Sequence, residues 1–121
     1  ELLVVPNNGC IADELEQYKA FGGVGLRRAE FSSSGQLRHD WSKLGTDTYT
    51  RRRTFDALVK TIAQVSKVDY WNHGHFPVFV NGSIIVDTRN RTFQRALDWH
   101  TAGAYEGVYL NHYWSRSVEE W

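Results

Sequence analysis

The 121-residue chain predicts a mixed α/β domain, with a sheet flanked by helices. Three observations carry that reading. Short branched apolar runs recur at Leu2–Val5, Val59–Val65, Phe76–Val80, Ser83–Val86 and Val108–Leu110, each bounded by turn residues. Stretches with helical spacing lie between several of them, which is the pattern of strands joined by crossovers. The Asn81-Gly82 pair between two of the runs signals a hairpin, so part of the sheet should be antiparallel.

Taken in order, Glu1–Val5 reads as a buried strand. It opens directly on strand residues, which leads to the expectation that the natural chain continues upstream. Pro6-Asn7-Asn8-Gly9 is a turn. Ile11–Phe21 has helical spacing through Ile11, Leu15 and Tyr18, with Asp13 and Glu14 in its first turn, and Gly22-Gly23 ends it. Val24–Phe31 interleaves apolar residues with Arg27, Arg28 and Glu30, as a half-exposed strand does. Ser32–Gly35 is a loop of small residues. Gln36–Thr48 is irregular, with Trp41 as its large anchor. Tyr49–Leu58 has helical spacing, and its basic run Arg51–Arg53 suits a solvated helix face. Val59–Val65 is a strand. Thr92–Thr101 fits a short helix, and Ala102-Gly103-Ala104 links it to the last strand. There is no internal repeat and no internal domain boundary.

Composition narrows the function classes. Lysine plus arginine equals aspartate plus glutamate at 14 each, so no global field recruits nucleic acid or an acidic membrane. The single Cys10 excludes an internal disulfide. No apolar run approaches the length of a membrane span, and no signal sequence is visible. Five tryptophans supply core material and flat faces for stacking on ligands.

Two places present chemistry. The first is Leu110-Asn111-His112-Tyr113-Trp114-Ser115-Arg116-Ser117-Val118-Glu119-Glu120. A strand delivers His112 and Tyr113 to its C-terminal end, and Ser117 stands three residues before Glu120, the spacing of a capping box that starts a helix. Strand ends in α/β sheets collect ligands, and helix N-termini attract anions. The plainer alternative is a core histidine beside a surface cap. The second is Tyr70-Trp71-Asn72-His73-Gly74-His75. Two imidazoles one residue apart can face a common point and suit Mn, Zn or Fe; a polar loop pair is the alternative. Trp41 and Trp71 are candidates for stacking on a sugar or for the core.

With these stretches located, the chain resembles glycosyltransferase family 92 and related family-2-like transferases of the GT-A type. Glu1-Leu2-Leu3-Val4-Val5-Pro6 is similar to the end of the family's Asp-x-Asp-Glu-Phe-Leu segment. Phe21-Gly22-Gly23-Val24 with Phe31-Ser32-Ser33-Ser34-Gly35 is similar to its Gly-Gly-Val…Phe-Gly-Ser-Ser-Gly stretch. Val59-Lys60-Thr61-Ile62, with His75 and Asp87 downstream, is similar to its Lys-Ser-Ile…His…Asp region. Asn111-His112-Tyr113 with Arg116-Ser117-x-Glu119-Glu120 resembles its Asn-His-Tyr-x-x-Lys-Ser-x-Glu-Glu ending, the most specific of the four. Arg28 stands where the family tends to have Trp, Ser32 where it has Gly, Gln36 where it has His, and Arg116 where it has Lys.

The resemblance implies the C-terminal half of a GT-A-like, Rossmann-related catalytic domain, with the nucleotide-binding half upstream of Glu1. It implies a metal-dependent glycosyltransferase that moves a sugar from a nucleotide sugar, a UDP-sugar by preference, to a glycan or other hydroxyl acceptor, with inversion. Mn²⁺ or another divalent cation would be held through His75 or His73, with Glu1 closing the carboxylate segment. Lys60, His112, Tyr113 and Arg116 would bind the diphosphate, and Trp41 the sugar. Glu30 and Asp40 are the candidate bases for the acceptor hydroxyl. A Golgi or other membrane-associated location is implied for a eukaryotic chain, and a cytoplasmic one otherwise. Two other classes stand beside this reading: a non-catalytic carbohydrate-binding or interaction module, and a small metal domain built on His73, His75 and His112.

Overall fold

A computed structural model describes residues 1–52, 59–92, 107–113 and 117–120. Its centre is one long strand, β2 (Gly23–Glu30). The antiparallel strand β3 (Val59–Ala63) pairs along one edge of β2. The other edge is shared end to end by two parallel partners. β6 (Ile85–Asp87) covers Gly23–Gly25, and β7 (Tyr109–His112) covers Arg28–Glu30. Outside β7 lies β1 (Leu2–Val4), antiparallel to it. A separate two-stranded sheet is formed by β4 (Val68–His73) and β5 (Phe76–Phe79). The helices are short: α1 (Ile11–Glu16) and α2 (Gly45–Thr48). The described residues thus form a small α/β domain with a mixed sheet and few helices; the α/β class and the mixed sheet are as the sequence predicts. No helix among the described residues is long and apolar enough to cross a membrane.

Side chains alternate across a strand, and paired residues share a face. Val24, Leu26, Arg28 and Glu30 therefore stand on one face of β2. The register adds Ile62 and Lys60 from β3, and Leu110 and His112 from β7. That face divides along its length. Its first half is apolar: Val24, Leu26, Val86 and Val108 form a buried cluster with Tyr18, and Ile11, Leu15, Ile62 and Leu110 pack against it. Its second half is charged.

Several expectations are corrected. The first strand is not buried: Leu2 and Leu3 are exposed, because β1 is the sheet's outer strand. The strand expected to be half-exposed is instead central and buried on both faces. Its charges follow from what lies beyond the apolar half, not from solvent. The first helix ends at Glu16, and Gln17–Ala20 continue as turns. Gly22 and Gly23 serve close contacts rather than only a stop. A Cβ on Gly23 would meet the Ile62 carbonyl oxygen at 2.6 Å, and one on Gly22 the Phe79 ring at 2.7 Å.

The Asn81-Gly82 hairpin does not form. Both residues take the left-handed conformation (φ 54° and 69°) that a tight turn demands. The turn instead carries the chain from β5, which pairs with β4, to β6, which pairs with β2. All three residues of β6 are buried there, and that burial outweighs a local hairpin. Asp87 ends β6 and fixes the charged turn that follows. One carboxylate oxygen accepts the Arg89 and Arg91 amides, and the other accepts Arg91 Nε at 2.7 Å.

Trp41 is no anchor, at 82% exposed; Tyr49, 1% exposed, takes that place. Tyr49–Arg52 is not helical: Tyr49 closes α2, and Arg52 forms a bridge with Phe31. The rest of that expected helix, residues 53–58, lies outside the described residues, as does the helix expected at Thr92–Thr101 beyond Thr92.

Candidate functional site

The sheet's directions explain why distant parts of the chain meet. β2 and β7 are parallel, so their C-terminal ends coincide and Glu30 is paired with His112. β1 runs opposite to β7, which brings Glu1 to the same end. β3 runs opposite to β2, which brings Lys60 in beside Leu26. Finally, the β4–β5 turn is tied to β3 where the Thr61 hydroxyl donates to the His75 carbonyl at 2.7 Å. Glu1, Arg28, Glu30, Lys60, His75 and His112 thus gather at one end of the sheet.

The distances are short. Glu1 Oε1 is 2.8 Å from His112 Nδ1 and 3.4 Å from Lys60 Nζ. Arg28 Nη1 lies 3.5 Å from His112 Nε2, and Arg28 Nη2 lies 3.7 Å from Glu30 Oε1. Arg28 is only 6% exposed, yet sequence reasoning noted it merely as a departure from a pattern. The signal that pointed to it was periodicity. Leu26, Arg28 and Glu30 share one face, so an arginine there follows directly on the core.

Electrostatics follow from this crowding. Burial pushes His112 below the usual imidazole range, and the Arg28 charge adds to it, against the pull of Glu1 and Glu30. Burial likewise lowers His75, helped by Lys60, Arg28 and His73 and opposed by Glu1. For Glu1, partial burial works upward, but Lys60 and His112 outweigh it and hold the carboxyl below its ordinary value. The Glu1–His112 contact therefore joins a carboxylate to an imidazole that is neutral at pH 7. The two groups stand 2.8 Å apart. His75 Nδ1 is buried and has no hydrogen-bond partner among the described residues.

Other expected site residues fall elsewhere. His73 is exposed, and its Nδ1 accepts the His75 amide at 3.2 Å, which closes its own turn. Asp40 accepts hydrogen bonds from Ser42 and is paired with Lys43 at 2.9 Å. The Ser42 hydroxyl above all, then Lys43, holds its carboxyl well below the usual range. Asp40 thus lies outside the charged cluster, whereas Glu30 lies in it, next to Arg28 and paired with His112. Arg116 lies outside the described residues.

The capping-box reading is corrected. Val118–Glu120 is one 3₁₀ turn. Its first amides are already engaged: Ser117 N–H donates to the Tyr49 hydroxyl, Val118 N–H to the Gln36 carbonyl and Glu119 N–H to the Leu37 carbonyl. They are therefore not available to an anion.

Next to the charged cluster lies a cleft of about 590 Å³, whose lining includes Glu1, Leu2, His39, Leu44, Tyr49 and Tyr113. Tyr113 stacks on Phe31 with centroids 4.7 Å apart. Among the described residues, no three His, Cys, Asp or Glu side chains are arranged to hold a metal ion. Comparison with protein-family models, with curated proteins and with solved structures found no match for this chain.

Proposed function

We propose that this chain is the C-terminal half of a GT-A-like, Rossmann-related glycosyltransferase domain, and that its charged cluster receives the diphosphate of a nucleotide sugar. The observation that carries the reading is the convergence of Arg28, Lys60, His75 and His112 around Glu1 at the end of two parallel strands. Strand ends of this kind are where α/β sheets take ligands. In sugar transfer, an acceptor oxygen bonds to the anomeric carbon as the bond to the diphosphate oxygen breaks. The electron pair leaves with the diphosphate, and the acceptor proton passes to a base. Fixed cations placed where that charge develops lower the barrier. Arg28 and Lys60 supply permanent charge, and the two histidines can take up protons as the anion binds. Glu30 is the preferred base.

The described residues do not by themselves fit the divalent cation that the resemblance implies. His73 is committed to its turn, and Glu1 is shared between Lys60 and His112. A Mn²⁺ ion would need ligands from elsewhere, and no step here runs through it. The UDP-sugar donor, glycan acceptor, inverting outcome and Golgi or other membrane setting belong to the same proposal.

Calorimetric titration of the 121-residue chain with inorganic pyrophosphate and with UDP, in EDTA and in Mn²⁺, tests it. Binding of both ligands, weakened at least about tenfold by Lys60→Ala and by His112→Ala, is the expected result. Absence of binding in either condition would remove the reading. Stoichiometric metal uptake with no effect of nucleotide would favour the small metal domain.

A further inference from the structure

We propose that the cleft between β1, the end of β7 and α2 is a binding subsite for a neutral pyranose ring. Naming that sugar the acceptor rests on the transfer reading above; the binding itself does not.

The first argument is size and lining. A cleft of about 590 Å³ falls within the range typical of small-molecule sites, about 300–1,000 Å³. Leu2, Leu44 and Tyr113 give it apolar walls over the buried Tyr49, while Glu1 and Thr46 add a few polar groups. A pyranose has a matching division: an apolar C–H face, which aromatic rings cover, and a rim of hydroxyls that need hydrogen-bond partners.

The second argument is rigidity. Tyr49 is fully buried, and its hydroxyl is fixed between His39 Nδ1 at 2.8 Å and the Ser117 amide at 3.2 Å. Tyr113 is backed by Phe31 at an interplanar angle of 20°. Walls held in this way lose little freedom when a ligand arrives.

Charge decides the occupant. Among the described lining residues, Glu1 is the one acidic side chain and none is a lysine or arginine. An anionic ligand seated in the cleft would meet the Glu1 carboxylate, whereas the cluster cations Lys60 and Arg28 are not among the described lining residues. A cation would compete with Lys60, already 3.4 Å from Glu1. A neutral hydroxyl donor meets neither penalty. Because Glu1 also contacts His112, a hydroxyl bound to it stands beside the cationic cluster. Trp41 extends the aromatic surface outward: its ring is 4.1 Å from that of His39, and 82% of the residue is exposed. Its flat ring suits the apolar face of a second sugar.

The test is amide NMR of the isotope-labelled chain titrated with methyl β-glucopyranoside, methyl β-galactopyranoside, octyl β-glucoside and, separately, inorganic pyrophosphate. A methyl glycoside is expected to shift the Thr46 and Tyr113 amides. Thr46→Trp, at an exposed position on the cleft wall, is expected to abolish those shifts while pyrophosphate still perturbs Lys60 and His112. Trp41→Ala should weaken binding of a disaccharide glycoside more than that of a methyl glycoside. No response to either methyl glycoside, a response that survives Thr46→Trp, or binding of the octyl glycoside alone would overturn the subsite. Sugar shifts without any pyrophosphate response would support the subsite and remove the transfer reading.

Discussion

Replacing Arg28 by Gln isolates one electrostatic contribution to the cluster, the Arg28 charge beside His112. Arg28 Nη1 is 3.5 Å from His112 Nε2. Two unit charges at that distance repel by about 1 kcal/mol in a water-like medium and by about 5 kcal/mol at an effective dielectric of 20. The His112 side chain is only 12% exposed, which argues against the water limit, while Glu30 beside Arg28 offsets part of the field. The balance is a bias of about 1–3 kcal/mol against imidazolium at His112. Arg28→Gln removes it but leaves a polar group beside Glu30, so the fold should lose no more than about 1–3 kcal/mol. Titrating the His112 ring resonances by NMR in both proteins measures the effect. The His112 midpoint should rise in the variant, and the His75 midpoint should rise less, because Lys60 stays beside it. An unchanged or lowered His112 midpoint, in a variant whose amide spectrum remains dispersed, would refute the electrostatic account of the cluster.

Further outcomes follow from the same structure. His75 and His112 are held below their ordinary values in the folded chain, so the unfolded chain binds more protons as pH falls below about 6.5. Stability should be fully present above that pH and decline below it, by at most about 1.4 kcal/mol per pH unit for each histidine. Glu1, also lowered, continues the loss at more acid pH. Urea midpoints at pH 7.5 and 5.5 check this, and a flat or rising midpoint on acidification would contradict it. Gly23→Ala should destabilise by about 1–3 kcal/mol or more in denaturant melts, because the added methyl would sit 2.6 Å from the Ile62 carbonyl oxygen. Asp87→Ala should cost about 2–4 kcal/mol by the same assay, since it strips the acceptor from the Arg89 and Arg91 amides and from Arg91 Nε.

Much of the site was legible because its residues lie at strand ends, and strand ends can be read from apolar runs. His112 follows Val108–Leu110, and Lys60 follows Val59; both reach the cluster. Of the two histidines, the His75 backbone is tied to Thr61, while the His73 ring is spent on its own turn. Arg28 was passed over because an arginine between Arg27 and Ala29, with Glu30 next, looks like part of a half-exposed strand. Only the tertiary packing, which covers both faces of β2, shows that it is buried. The cleft was invisible for a related reason: its walls come from Glu1, Leu44, Tyr49 and Tyr113, which no spacing rule connects.

Local chemistry in the sequence located most strand segments, the start of the first helix and the turns, including the left-handed Asn81-Gly82 pair, since each depends on side chains a few residues apart; it located neither β4 nor the end of α1. It did not determine pairing. The Asn-Gly turn forms but joins two different sheets, because burying Ile85, Val86 and Asp87 against β2 outweighs a local hairpin. Likewise Ser117 begins no anion site, because Tyr49 and the carbonyls of Gln36 and Leu37 reach the amides first. Strand order and direction are set by the total area buried across the whole sheet. That sum alone decided that Glu1, Arg28, Lys60, His75 and His112 would share one end of it.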